Sequence, residues 1–176
     1  MAKSTWAIDP THSEIGFKVK HMMFTNVSGK FNSFEASIVN EDNLFETSSI
    51  DFSAEVNSID TNNTDRDNHL KSADFFDVEH FPALTFKGTS IKKDSDGIFH
   101  ISGDLTIKGV TQNITLESEY SGLMKDPWGN TKAGLSITGK INRKDFGLTW
   151  NAALETGGVL VGEEIKLIID IQLIKQ

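Results

Sequence analysis

Cysteine is absent from the 176 residues, which removes disulfides, thiolate metal sites and a cysteine nucleophile without fixing a compartment. Long apolar runs are absent too. The opening MAKSTWAIDPTHSEIGF lacks the uninterrupted ~7–15-residue apolar core of a secretory signal, and no later run approaches the ~20 residues of a membrane span. As written, the chain is expected in the cytoplasm, without stable membrane insertion. Basic charge is scarce: Lys and Arg total 17 against 25 Asp and Glu, a formal net charge of -8. A nucleic-acid surface needs a basic face, so no nucleic-acid partner is expected. Also missing are an extended amphipathic helix, an internal repeat and a Pro/Gly/Ser-rich linker. Residues 1–176 therefore read as one domain, a size that all-β barrels reach as single units.

What is present is alternation. In FHISGDLTIKG, Phe99, Ile101, Gly103, Leu105 and Ile107 share one face, and His100, Ser102, Asp104, Thr106 and Lys108 the other. That is the period of two of a half-buried strand. The same rhythm runs through EIGFKVK, SIDFSAEVNS, NITLESEYSG, LSITGKI and EIKLIIDIQLI. It is weaker in FEASIVN and ALTFKGTSIKK, where Phe31 and Ile91 break parity and mark bulges or strand ends. Eight long strands follow. KKDSDGIF carries an Asp-Gly hairpin signal, KDPWGN is a Pro/Gly turn and IKGVTQN a third short connection, so sequence neighbours pair antiparallel. One short helix is expected near residues 65–72, with Thr64 or Asp65 as N-cap.

Eight meandering strands with one apolar face each pack as two sheets or roll into a barrel, which removes the exposed edges. Small residues stand among the bulky in-facing ones: Ala36, Ala54, Ser58, Gly88, Gly103, Ser118 and Gly139. They leave an eight-stranded interior partly unfilled, with room for one elongated apolar ligand, or they merely accommodate taper and coiling. Both readings fit the spacing.

His12, His21, His69, His80 and His100 are the side chains that titrate near neutrality. None stands in a catalytic or metal-binding motif: there is no HExxH, GxSxG, phosphate-binding loop or dinucleotide fingerprint. No catalytic residue, metal or cofactor is expected. The enzymatic alternative is a site gathered from distant positions, such as His12 with Asp67 and His69.

The phrases WAIDPTHSEIGFKVKHMM, DTNNTDRDNHLKSADFFDVEHFPALTF, GDLTIKGVTQ, INRKDFGLTWN and VGEEIKLIIDIQL, in this order over nearly the whole chain, resemble the YceI family of polyisoprenoid-binding proteins. The resemblance implies an all-β fold, an extended eight-stranded antiparallel lipocalin-like barrel, with a long-chain isoprenoid lipid in its tunnel. Transport, storage or stress protection would be its role, with no catalytic step. His12 and Ser13 match the family's opening motif, and Arg66, Asp67, His69 and Leu70 its RDxHL. Phe75, Phe76, Phe81 and Pro82 match the aromatic stretch that follows, and Arg143, Asp145, Phe146 and Gly147 the late NRxDFG. The resemblance also allows a homodimer, although no heptad or self-complementary stripe is visible. Many relatives carry a leader peptide, and none is visible here.

Such a ligand needs a dry apolar tunnel, and Phe17, Phe52, Phe86, Ile101, Leu105, Ile137 and Leu167 have the parity to line it. A diphosphate or quinone end needs donors at the mouth. Arg66 and Arg143 suit a phosphate through the planar guanidinium fork, with His12, His21 and His69 as second donors. Phe75, Phe76 and Trp150 complete the expected ligand contacts. The plainer alternatives are an Arg66–Asp67 pair capping the helix, an Arg143–Asp145 pair fixing a hairpin, and Phe75, Phe76 and Phe81 plugging one barrel end. Three classes of function result: a noncatalytic lipid carrier or reservoir, an enzyme acting on such a lipid, and an interaction protein with a filled barrel.

Overall fold

Strict alternation over residues 99–107 emerges as a strand in which every second side chain, from Phe99 to Ile107, is buried. The computed structural model describes residues 2–152, 154 and 160–176. Eleven strand segments form one antiparallel sheet: β1 (Lys3–Ile8), β2 (Glu14–His21), β3 (Thr25–Phe31), β4 (Phe34–Glu41), β5 (Leu44–Glu55), β6 (Ile59–Asp60), β7 (Ala83–Lys93), β8 (Phe99–Ile107), β9 (Val110–Lys125), β10 (Thr131–Asn142) and β11 (Val161–Lys175). Three of the long strands are broken. β1 kinks into β2 at residues 9–13, β3 into β4 at 32–33, and β5 into β6 at 56–58.

Counting each kinked pair once leaves eight staves that run up and down in chain order. The first closes on the last: Trp6 pairs with Lys175 and Ile8 with Leu173. Past the kink, Ile15 pairs with Ile169 and Val19 with Ile165. The sheet is thus a closed eight-stranded antiparallel barrel of lipocalin-like form, with one α-helix among the described residues, α1 (Thr64–Lys71). Among the described residues no helix is long and apolar enough to cross a membrane.

Local chemistry explains the kinks and caps. Asp9 accepts from the Thr11 amide at 3.1 Å and the Thr11 hydroxyl at 2.8 Å, while Pro10 contributes no donor to the ladder. The α1 N-cap is Asn63, whose side chain accepts from the Arg66 amide at 3.0 Å, and not Thr64 or Asp65. Asn63 has the extended backbone a cap requires, and Thr64 is already helical. The parity break at Ile91 follows a register shift between Gly88 and Ser90, and Phe31 ends β3.

The two ends of the barrel differ. One has tight turns at 42–43, 94–97 and 126–129. It is stoppered by Phe45, Phe99 and Tyr120: Phe45 stacks on Tyr120 at 5.0 Å, and Phe99 meets Phe45 edge-on at 5.1 Å. The other end carries the connection 61–82 with α1, and the described residues 143–152 that follow β10. The in-facing glycines do not open the interior. A Cβ on Gly103 would overlap the Phe86 ring, and one on Gly139 would overlap Leu116, because these large neighbours fold across the gap.

Candidate functional site

Apolar side chains from every stave converge on a cavity of about 210 Å³. Phe17, Phe52, Phe86, Ile101, Leu105, Ile137 and Leu167 all stand in its wall, as their parity requires. Of the small in-facing residues only Ala36 is there. Leu70, Phe75 and Phe76 from the α1 connection and Leu148 from the segment after β10 close the capped end. Phe76 packs edge-on against Phe31, with centroids 6.3 Å apart.

Arg143 is the one charged side chain in this wall among the described residues, and it is 3% exposed. It follows Asn142, which caps a 3-10 turn that ends at Gly147 in the left-handed region, φ 76°. That reversal turns backbone carbonyls onto the guanidinium. Nε donates to Gly162 O at 2.8 Å, Nη1 to Leu148 O at 2.6 Å and Trp150 O at 2.9 Å, and Nη2 to Val161 O at 3.3 Å. No carboxylate pairs with it among the described residues; Asp145 instead offers its backbone carbonyl to Gln112 at 3.0 Å. Burial pushes the guanidinium pKa down, and Glu163 partly opposes this. Of the five guanidinium hydrogens, one on Nη2 has no partner among the described residues.

Arg66 is turned elsewhere. Its Nε donates to the Thr61 hydroxyl at 2.8 Å and its Nη2 to Thr61 O at 2.7 Å. Asp67 Oδ1 accepts from the Thr61 amide at 2.9 Å and from the same hydroxyl. Arg66 and Asp67 therefore do not pair with each other; both grip buried Thr61 and tie α1 to the barrel rim. Neither Arg66 nor His69 is in the cavity wall.

His69 bonds Asp74 at 2.9 Å, and its ring meets Trp150 edge-on at 4.7 Å and Phe75 at 5.1 Å. Phe75 and Trp150 are 5.4 Å apart, so this trio clasps the α1 connection to the segment after β10 over the capped end. Trp150 is in the clasp and not the wall. His21 ends β2 outside the wall, its carbonyl accepting from the Phe24 amide at 3.3 Å. His12 bonds Asp9 at 2.9 Å, on a shallow outer groove with Tyr120 and Gln172. The His12 and Thr11 bonds hold the Asp9 carboxyl at a pKa of about 2. His12, Asp67 and His69 thus serve three separate arrangements. No group of three or more metal-ligating side chains occurs among the described residues.

Sequence reading missed Leu148 and Val161 in the wall and the carbonyl cage around Arg143. Backbone acceptors leave no side-chain signal. The burial of Phe146 at 1% exposure, inside KDFGLTW, is the one local hint that this segment turns inward.

A closed antiparallel meander around an apolar interior, with one buried guanidinium in its wall among the described residues, belongs to the class of lipocalin-like barrels. The chain itself is a member of the YceI-like domain family, whose model matches residues 6–173. A UPF0312 protein of Staphylococcus aureus strain N315 is 38% identical over 164 residues, 93% of each chain. The Campylobacter jejuni YceI protein is 33% identical, with a TM-score of 0.75 over 96% of both chains. A polyisoprenoid-binding domain from Saccharophagus degradans, implicated in plant cell wall breakdown, shares the fold at a TM-score of 0.69 and 12% identity, over 97% of this chain and 98% of that one.

Proposed function

We propose that this protein binds one long-chain isoprenoid lipid, a polyprenyl diphosphate or an isoprenoid quinone, inside the barrel and carries or stores it without a chemical step. The observation that carries the reading is the cavity wall: apolar from every stave, with Arg143 as its one charged group among the described residues. Apolar area removed from water is worth roughly 25 cal/mol per Å², so a hydrocarbon chain is the occupant such a wall favours. Family membership and the shared fold of the Saccharophagus degradans polyisoprenoid-binding domain support the same ligand class.

Volume adds a constraint. The cavity, about 210 Å³, exceeds the ~150 Å³ dry cavity that accepts benzene and falls below the ~300–1,000 Å³ of ordinary ligand pockets. A chain of many isoprene units therefore displaces Phe17, Phe75 or Phe76, and entry at the capped end parts His69 from Trp150. The Nη2 hydrogen of Arg143 that has no partner among the described residues makes this side chain the candidate donor to a phosphate or quinone oxygen. A homodimer, measurable as mass in solution, is compatible with a ligand enclosed within one barrel.

The test is organic extraction of purified protein under denaturing conditions, followed by mass spectrometry. A copurifying isoprenoid, or stoichiometric uptake of added polyprenyl diphosphate or quinone, is expected. Absence of both overturns the proposal.

A further inference from the structure

The hairpin between β2 and β3 turns through residues 22–24, where Met22, Met23 and Phe24 are 47%, 55% and 85% exposed. Met22 and Met23 have φ of 53° and 68°, in the left-handed region. Asn and Gly serve that conformation at little cost, and a bulky apolar residue does not. Large apolar groups thus stand at a conformationally costly tip, facing water.

The outer face beside the tip is basic, in a chain with net charge -8. Lys140 lies opposite Lys166 on the neighbouring strand, and Lys166 lies opposite Lys18 on the next. Like charges directly opposed across strands destabilise a sheet. Lys20 extends the same exposed face toward the tip, whereas Lys30, further back, lies between Gly16 and the acidic Asp60 and adds no free charge. Among the described residues Lys18, Lys20 and Lys166 have no carboxylate within ion-pair distance, while Glu164 pairs with Lys140 at 3.8 Å and Glu163 with Lys144 at 2.7 Å. Away from the tip the face turns acidic, with Glu14 opposite Asp170. Charge is therefore polarised toward the Met-Met-Phe tip.

We propose that this tip and the lysine face of β10, β11 and β2 form the docking surface for an anionic lipid bilayer, by which the carrier reaches the membrane that supplies or receives its lipid. The inference rests on the carrier reading for its purpose, and on the tip and the lysines for its geometry. At roughly 3.4 Å per strand residue, Lys20 lies ~7 Å and Lys18 ~14 Å behind Met22. Interfacial elements bury their apolar groups ~5–10 Å into the headgroup boundary, so immersing the tip brings Lys20 to the phosphates. The same hairpin carries Phe17 and Val19 in the cavity wall, which joins the docked element to the cargo site.

Flotation of the full chain with phosphatidylcholine vesicles, with and without phosphatidylglycerol, tests this. Binding to the anionic vesicles that weakens with salt is expected. Lys20→Gln should weaken it about fivefold, the effect of about 1 kcal/mol per lysine at an anionic surface, and Lys18→Gln by less, because its charge stands further from the phosphates. Phe24→Ser should abolish the flotation at moderate salt. Uptake of detergent-solubilised polyprenol, followed by tryptophan fluorescence, should be unchanged in all three variants and reports their folding. No flotation, equal flotation on both vesicles, unchanged flotation of the variants, or competition by duplex DNA as effective as phosphatidylglycerol overturns the docking surface. Anionic-specific flotation sensitive to the substitutions, without polyprenol uptake, supports the surface while overturning the carrier reading.

Discussion

Arg143 is held by peptide carbonyls, and that fixes what its removal does. Arg143→Leu takes this donor from the carbonyls of Leu148, Trp150 and Gly162, while Val161 O keeps Asn151 Nδ2 at 2.8 Å. At ~1–3 kcal/mol for a buried group left unpaired, and more for hydrogen bonds to a charge, a loss of about 3–5 kcal/mol is expected. For a domain of this size that is a fall in Tm of roughly 10 °C by calorimetry. Arg143→Lys recovers only part, because three donors on a point charge do not span four carbonyls. Asp9 gives a pH prediction. Its folded pKa of about 2 lies below the ordinary 3.8, so its contribution is present above pH ~4 and is lost as pH falls from there toward 2. The stability gap between wild type and Asp9→Asn in urea titrations should be about 1–2 kcal/mol near neutrality and close over that acid window. At this scale the sequence was least legible. RDxHL displayed Arg66 and Asp67, but their shared partner, Thr61, is recognised only once the chain has folded back across the rim.

At the scale of elements, strands were legible and their interruptions were not. Period-two alternation marks a strand wherever one face is buried. It says nothing about a kink such as residues 9–13, where both halves keep their partners on the same neighbouring staves. Gly103 and Gly139 are instructive. As single residues they suggest empty space, yet their cross-strand neighbours Phe86 and Leu116 fill it. Gly103→Ala is expected to destabilise by about 1–3 kcal/mol through overlap with Phe86 and the Lys87 carbonyl, read as a lower urea midpoint. The helix α1 offers a sharper case. It buries no residue of its own fully, and its hold on the barrel runs through half-buried Leu70, through Thr61 and through the neighbouring Phe75 and Phe76. Thr61→Val, which keeps shape and loses the hydroxyl, should raise amide exchange in residues 64–71 while leaving β8 and β9 protected.

The whole molecule is a barrel closed by pairing its first stave with its last, Trp6 with Lys175 and Ile15 with Ile169. Closure pairs each stave with a neighbour on both sides and encloses a hydrocarbon interior between the Phe45, Phe99 and Tyr120 stopper and the His69, Phe75 and Trp150 clasp. If the cavity is the cargo site, narrowing it should matter more than polarity elsewhere. Ala36→Phe places a ring in the wall at a position where a methyl now stands. Polyprenol uptake should fall at least tenfold, since each 1.4 kcal/mol lost is a factor of ten. The β signature in circular dichroism should persist.

The sequence by itself determined eight staves, their order, the single short helix and the apolar identity of the interior, because alternation and turn chemistry act between residues near in the chain. Tertiary structure decided the rest. Which stave closes on which, where the cavity lies, that Arg143 faces it while Arg66 grips Thr61, and that lysines from β10, β11 and β2 align into one face all depend on residues far apart in sequence. Register across strands and backbone carbonyls turned inward carry no local pattern, so only the closed barrel brings them together.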